Sequence, residues 1–166
     1  YMEAWSEIEK ARHHHERQEY GLAKEHFEKA AELHKLLKKW CYLEPNYSAW
    51  AQVENAEELS RKEHSEEAIK AFENAATLFK ETKDSLQTQL NKIEETDEKQ
   101  MATSMIKASG IRQEYCDARI ALEEAKILDK KGNHYSSSEK YGSAAKAFEK
   151  ISQTLESEQE LSLIHI

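Results

Sequence analysis

Shifted by 45 residues, the chain overlays itself. Residues 4–35 then fall on 49–80, and 11 of the 32 positions are identical, among them Ala4/Ala49, Trp5/Trp50, Ala11/Ala56, Ala23/Ala68, Phe27/Phe72 and Ala30/Ala75. Shared Glu or Lys would follow from composition alone. Two Trp and two Phe in register do not, because aromatic residues make up only 8% of the chain. Self-similarity at such a period marks a repeat architecture, in which one supersecondary unit buries its apolar face only by stacking on the next.

The unit is helical. Only four Gly and one Pro occur in 166 residues, too few for the turns of a sheet protein. Ala, Glu, Lys, Leu and Gln, all good helix formers, dominate. Hydrophobic residues reach 39% and charged residues 34%, which suits a thin stack better than a thick core. A closed helical bundle is the alternative architecture.

A third copy stands near the C-terminus. Ala144-Ala145-Lys146-Ala147-Phe148-Glu149 lies 76 residues after Ala68-Ile69-Lys70-Ala71-Phe72-Glu73. Repeat one reads Ala11, Ala23, Phe27, Ala30. Repeat two reads Ala56, Ala68, Phe72, Ala75. Repeat three reads Gly132, Ala144, Phe148, with Ile151 in the last small position and Tyr135 ahead. This small–small–aromatic–small pattern resembles the tetratricopeptide repeat, in which small residues let paired helices touch and the aromatic fills the crossing. The family's period is about 34 residues, so the longer spacing here implies longer helices or an inserted one. The family's helix-ending Pro is absent. The resemblance implies an all-α solenoid of antiparallel helix hairpins, about six helices in all.

The spacing predicts helices over about 3–17, 21–40, 48–62, 66–94, 98–131 and 137–160. Pro45 falls in a loop over 41–47. Ser65 is expected to cap the fourth helix, Thr96-Asp97 with Gln100 the fifth, and Ser136 with Glu139 the sixth. The fifth helix carries an apolar stripe of Met101, Met105, Ala108, Ile111, Tyr115, Ala118, Leu122, Ala125 and Leu128. Phe27, Phe72 and Phe148 are expected to be buried equivalents.

The candidate chemical sites read as structure. His13-His14-His15 cannot hold one ion, because consecutive helical residues diverge by about 100°, and no metal site is assigned. Cys41 and His34 stand two turns apart on one predicted face without a third group to orient them. Both Cys41 and Cys116 are read as free buried thiols. Glycines are too scattered for a phosphate loop. No catalytic residue, cofactor or enzyme activity is assigned. The resemblance instead implies a concave groove lined by the first helix of each pair. Its positions carry over as Trp5, Ile8, Arg12 and His15 in repeat one, and as Trp50, Val53, Glu57 and Arg61 in repeat two. Trp beside Arg is hot-spot composition, although both Trp could instead pack only between repeats. The Lys and Asn of the family's clamp for C-terminal carboxylates are absent.

A protein-interaction scaffold binding a partner's peptide or helix is therefore expected. The alternatives are a regulatory region of a larger multidomain enzyme and an oligomerising bundle. A net charge of −8 repels nucleic acid and anionic membranes, and no run is long and apolar enough to span one, so a cytoplasmic protein is expected. Tyr1 is not Met, so the natural start is expected upstream. Residues 161–166 read like a translated sequencing adaptor and are set apart as non-native. That leaves one domain over 1–160, with repeats at about 4–40, 48–94 and 98–160, continuing past Glu160. The composition predicts a far-ultraviolet circular dichroism spectrum dominated by helix. A helical fraction below about half would overturn the helical reading.

Overall fold

A computed structural model describes residues 1–37 and 40–158. The expected non-native tail at 161–166 and the last two residues of the sixth expected helix lie outside them. The described residues form six α-helices and no strand: α1 (Met2–Glu16), α2 (Tyr20–Lys35), α3 (Glu44–Arg61), α4 (Ser65–Gln89), α5 (Thr96–Lys130) and α6 (His134–Glu158). Each helix packs on the next in sequence, so the chain is a run of three hairpins, α1–α2, α3–α4 and α5–α6.

All three hairpins turn the same way. Gln18 (φ 58°), Glu63 (φ 61°) and Gly132 (φ 77°) occupy the left-handed region at the end of α1, α3 and α5. In each turn the following amide reaches back to the same helical carbonyl: Glu19 to His14, His64 to Leu59, Asn133 to Leu128. The turn residue itself bonds three back, Gln18 to His15, Glu63 to Ser60 and Gly132 to Asp129. These paired bonds satisfy the orphan carbonyls of a helix C-terminus.

The turns set the true register. They lie 45 and then 69 residues apart, not 45 and 76. Seven residues before each turn stand Ala11, Ala56 and Ala125, all fully buried. Five after it stand Ala23, Ala68 and Ser137, and twelve after it Ala30, Ala75 and Ala144, all buried. Gly132 is thus a turn residue and not the counterpart of Ala11. Phe148 corresponds to Phe79, and Tyr141 takes the place of Phe27 and Phe72. Phe27 and Phe72 are fully buried. Phe148 is only half-buried and lies edge-on to Tyr115 at 5.9 Å.

Helix starts also differ from expectation. Pro45 sits in the first turn of α3, where its missing N–H costs nothing and its fixed φ is already helical. Helices α1 to α5 have no side-chain cap bond. Ser65 is buried inside the first turn of α4, and Thr96 opens α5 behind Glu95. Asn133, not Ser136, caps α6: its side-chain oxygen accepts the Ser136 amide at 3.4 Å. Glu66, Glu67, Asp97 and Glu98 supply negative charge at the N-termini of α4 and α5 instead.

Helix α5 is buried on two sides. Ala108, Ile111 and Tyr115, from the expected stripe, pack with Ile151 and Leu155 of α6. The other side buries Ala102, Ser109, Arg112, Cys116 and Glu123, a stripe whose polar members hid it from a hydrophobicity count. Of the two thiols, Cys116 is buried and Cys41 is exposed, correcting the reading of both as buried. Burial pushes the Cys116 thiol up to about 12. His34 is buried in α2, donates to the Ala30 carbonyl at 2.8 Å and packs on Tyr47; Cys41 lies in the short 3-10 turn that leads into α3.

A left-handed turn residue with a side chain is strained by roughly 1–2 kcal/mol relative to Gly. Gly132 has open space around an added Cβ, so Gly132→Ala should lose about 1 kcal/mol through the backbone alone. Gln18→Gly and Glu63→Gly should each gain a comparable amount, read as shifts in the urea midpoint. Opposite signs would mean that these turns do not fix the hairpins.

Candidate functional site

The first helices of the hairpins, α1, α3 and α5, lie side by side and parallel. A ladder of side-chain contacts runs along them in one direction. Along α3 and α5 it begins with Arg112 donating to Asn46 Oδ1 at 2.9 Å. It continues with Tyr115 Oη and Arg119 donating to Glu57 at 3.1 and 2.8 Å. Next come Ser60 to Glu123 at 2.5 Å and Lys126 to Ser60 at 3.0 Å. It ends with Lys130 on Glu63 at 3.2 Å. Between α1 and α3 the rung is His15 Nδ1 to Glu54 Oε1 at 2.6 Å.

One rung recurs by position. His15 and Ser60 each stand three residues before their turn. Glu54 and Glu123 each stand nine before the next one, and both carboxylates are fully buried. Each first helix therefore reaches the same buried glutamate of the following one. In both glutamates the second oxygen, Oε2, is buried without a hydrogen-bond partner. A buried carboxylate is costly unless charge or donors compensate it, and the two are compensated differently. Burial raises the Glu54 pKa, with His15 partly opposing the rise. Burial would also raise Glu123, but Lys126 and the Ser60 hydroxyl outweigh it and hold the carboxyl below its usual value.

The eight expected groove residues separate on this frame. Trp5 is 48% exposed. Arg12 is half-buried and bonded to Glu9 at 2.8 Å. His15 is exposed at its outer edge and tied inward to Glu54. Arg61 is exposed, paired with Glu58 at 2.6 Å, and lies 5.8 Å from the centre of the Tyr20 ring. Glu57 is half-buried, its oxygens taken by Tyr115 and Arg119. Ile8 and Val53 are buried between helices and face no solvent, because their positions are the apolar side of the same helix stripe. Trp50 does not share an open surface with Trp5. It is half-buried, stacked on Phe27 at 6.1 Å, edge-on to Phe79 at 5.6 Å, with the Arg112 guanidinium 5.2 Å above it.

Tyr20, absent from the sequence-based set, gathers several of these residues. The His15 ring meets it at 6.0 Å, and Glu54, Glu57, Arg61 and Arg119 all act on its hydroxyl. Its position, two residues after the first turn, was the available signal. At the turn end of α1 the three histidines diverge. His13 is exposed, His14 bonds Glu19 at 2.6 Å, and His15 bonds Glu54. Among the described residues no group of three His, Cys, Asp or Glu is placed to hold a metal ion, and no helix is long and apolar enough to cross a membrane. No protein-family model, curated protein or solved structure matches the chain.

The His15–Glu54 rung makes a pH prediction. The Glu54 hydrogen bond raises the His15 pKa above its usual 6.5 against the opposing effect of burial, and burial raises Glu54 above 4.5. Both folded values exceed the unfolded ones, so both groups stabilise the fold below those unfolded values and lose that contribution as pH rises through the folded ones. The rung should therefore pull the urea midpoint down from pH 6 to pH 8.5, against the opposing rise from buried His34, whose pKa burial lowers, and Glu54→Gln should remove that downward component. Equal pH slopes for the two proteins would exclude the rung as its source.

Proposed function

We propose that the chain is a tetratricopeptide-like interaction scaffold that holds a segment of a partner protein along its first helices. The repeat reading is supported by the three matched turns. It is also supported by the corrected third repeat, since Ala125, Ser137, Tyr141 and Ala144 follow the small–small–aromatic–small spacing of Ala11, Ala23, Phe27 and Ala30. The observation that carries the binding reading is Trp5, left 48% exposed on a helix that is otherwise docked. Arg12 lies two turns further along the same stripe, and the His15–Tyr20–Arg61 cluster closes its far end, about 15 Å from Trp5 at the helical rise.

Such a face suits an extended or helical partner segment of mixed apolar and acidic character. The indole offers a desolvating anchor, and the guanidinium groups offer forked donors to carboxylates. Ile8 and Val53 would contribute by fixing the helices from behind, not by touching the partner.

The test is the double charge swap Arg12→Glu with Arg61→Glu. Both changes break short ion pairs at or near the surface, each worth about 1 kcal/mol or less, so the thermal midpoint should fall only slightly and the helix content stay at the wild-type level. Capture of partners by the immobilised protein from cells of the source organism should be lost. An unchanged captured set would remove this face from the reading.

A further inference from the structure

The geometry points to the α1 face formed by Trp5, Glu9 and Arg12 as a docking surface for a helix hairpin of the α1–α2 type. That hairpin would present an aromatic side chain to Trp5 and a Ser or His to Glu9. This deepens the interaction reading above and rests on it for α1 being a binding face.

Parts of this face recur in the later first helices, the tryptophan in α3 and the glutamate in both α3 and α5, and there they are covered. Trp5 corresponds to Trp50, and Trp50 is stacked by Phe27 of the preceding hairpin. Phe27 stands nine residues after its turn. Glu9 corresponds to Glu54 and Glu123, and each of these receives a donor from the preceding first helix, His15 or Ser60. Those donors stand three residues before their turns. The Glu9–Arg12 pair, 2.8 Å apart at a spacing of three residues, repeats the Glu123–Lys126 pair, also 2.8 Å and three residues apart. In the third hairpin Ser60 bonds both members of that pair. The same positions hold Trp50, Glu54 and Glu57 in α3 and Arg119, Glu123 and Lys126 in α5; α1 combines the tryptophan of the one with the glutamate and base of the other, and there Trp5 and Glu9 are exposed. An occupant that continues the established α2–α3 interface supplies what Phe27 and His15 supply to α3.

The same equivalences argue against a second copy of this chain as that occupant. Its last hairpin would bring Tyr141 to Trp5, which is acceptable, but Asp129 stands three residues before its turn and would face Glu9. Two carboxylates would then meet at the position that elsewhere joins a carboxylate to a donor.

The experiment duplicates the covering hairpin on the full chain. Residues 1–45 are placed ahead of Tyr1, so that the leading Phe27 and His15 fall at the repeat distance from the receiving Trp5 and Glu9. Stacking neighbours stabilise one another in such arrays, so amide exchange across the receiving α1 should slow by roughly tenfold or more. Trp5→Ser with Glu9→Lys in the receiving copy should restore the unfused exchange rate while helix content stays constant. Unchanged exchange across α1 in the fusion, or slowing that survives the double substitution, overturns the proposal. Sedimentation of the wild-type chain across the micromolar range should show a monomer; self-association abolished by Trp5→Ser would replace the stated occupant with a second copy.

Discussion

The arrangement of the first helices depends on a buried glutamate met by a donor from the helix before it. Glu54 and Glu123 are fully buried. A carboxylate there is tolerated only if the neighbouring helix places His15 or Ser60 within reach. That requirement fixes how far one hairpin slides along the next. Small residues such as Ala11 and Ala51 leave the helices free to approach, and the rings of Phe27 on Trp50 and of His34 on Tyr47 limit the slide further. The polar rung selects one position, as a buried polar residue can select register in a helical assembly. The remaining α3–α5 contacts, from Asn46–Arg112 to Glu63–Lys130, extend the same alignment along both helices.

The register also decides which repeats are equivalent, and here the sequence misled in an instructive way. Ala-Ala-Lys-Ala-Phe-Glu at 144–149 matches Ala-Ile-Lys-Ala-Phe-Glu at 68–73 in five of six positions, yet the backbone pairs Phe148 with Phe79. Seven residues is two helical turns, so a pattern slipped by seven still places alanines and aromatics on the same face. Only the turn breaks the degeneracy. Gly132 was read as a packing residue, whereas its positive φ makes it the counterpart of Gln18 and Glu63. Neither of those is a glycine, which is why three matched turns left no common letter in the sequence.

Other features were legible for physical reasons that can be named. The scarcity of Gly and Pro announced helices, and the 45-residue echo announced the first two hairpins, because both signals come from backbone geometry and close packing. The helix caps were not legible. Ser65, Thr96 and Ser136 are good capping residues, but the helices begin a residue or more away from where those side chains would act. The buried polar side of α5 was invisible to a search for apolar periodicity, since Ser109, Arg112 and Glu123 count as surface residues. Of the candidate site, the helix stripe was found, but its depth was not. A stripe wide enough for Trp5, Ile8 and Arg12 includes both a wall and a floor, and spacing alone cannot say which residue is which.

That distinction bears on how the molecule holds its first helix. Helix α1 buries only Ala4, Ile8 and Ala11, far less apolar surface than α4 or α5. Its other contacts with neighbouring segments include the bonds of His14 to Glu19, His26 to Glu7 and His15 to Glu54, and the rings of His14 on His26 and His15 on Tyr20. Hydrophobic burial scales with area, so two alanines and an isoleucine leave α1 the most weakly anchored of the first helices. The polar ties carry a correspondingly larger share of its attachment. A helix held in this way leaves an indole exposed, whereas α3 is bonded to α1 through Glu54 and to α5 through Asn46, Glu57 and Ser60.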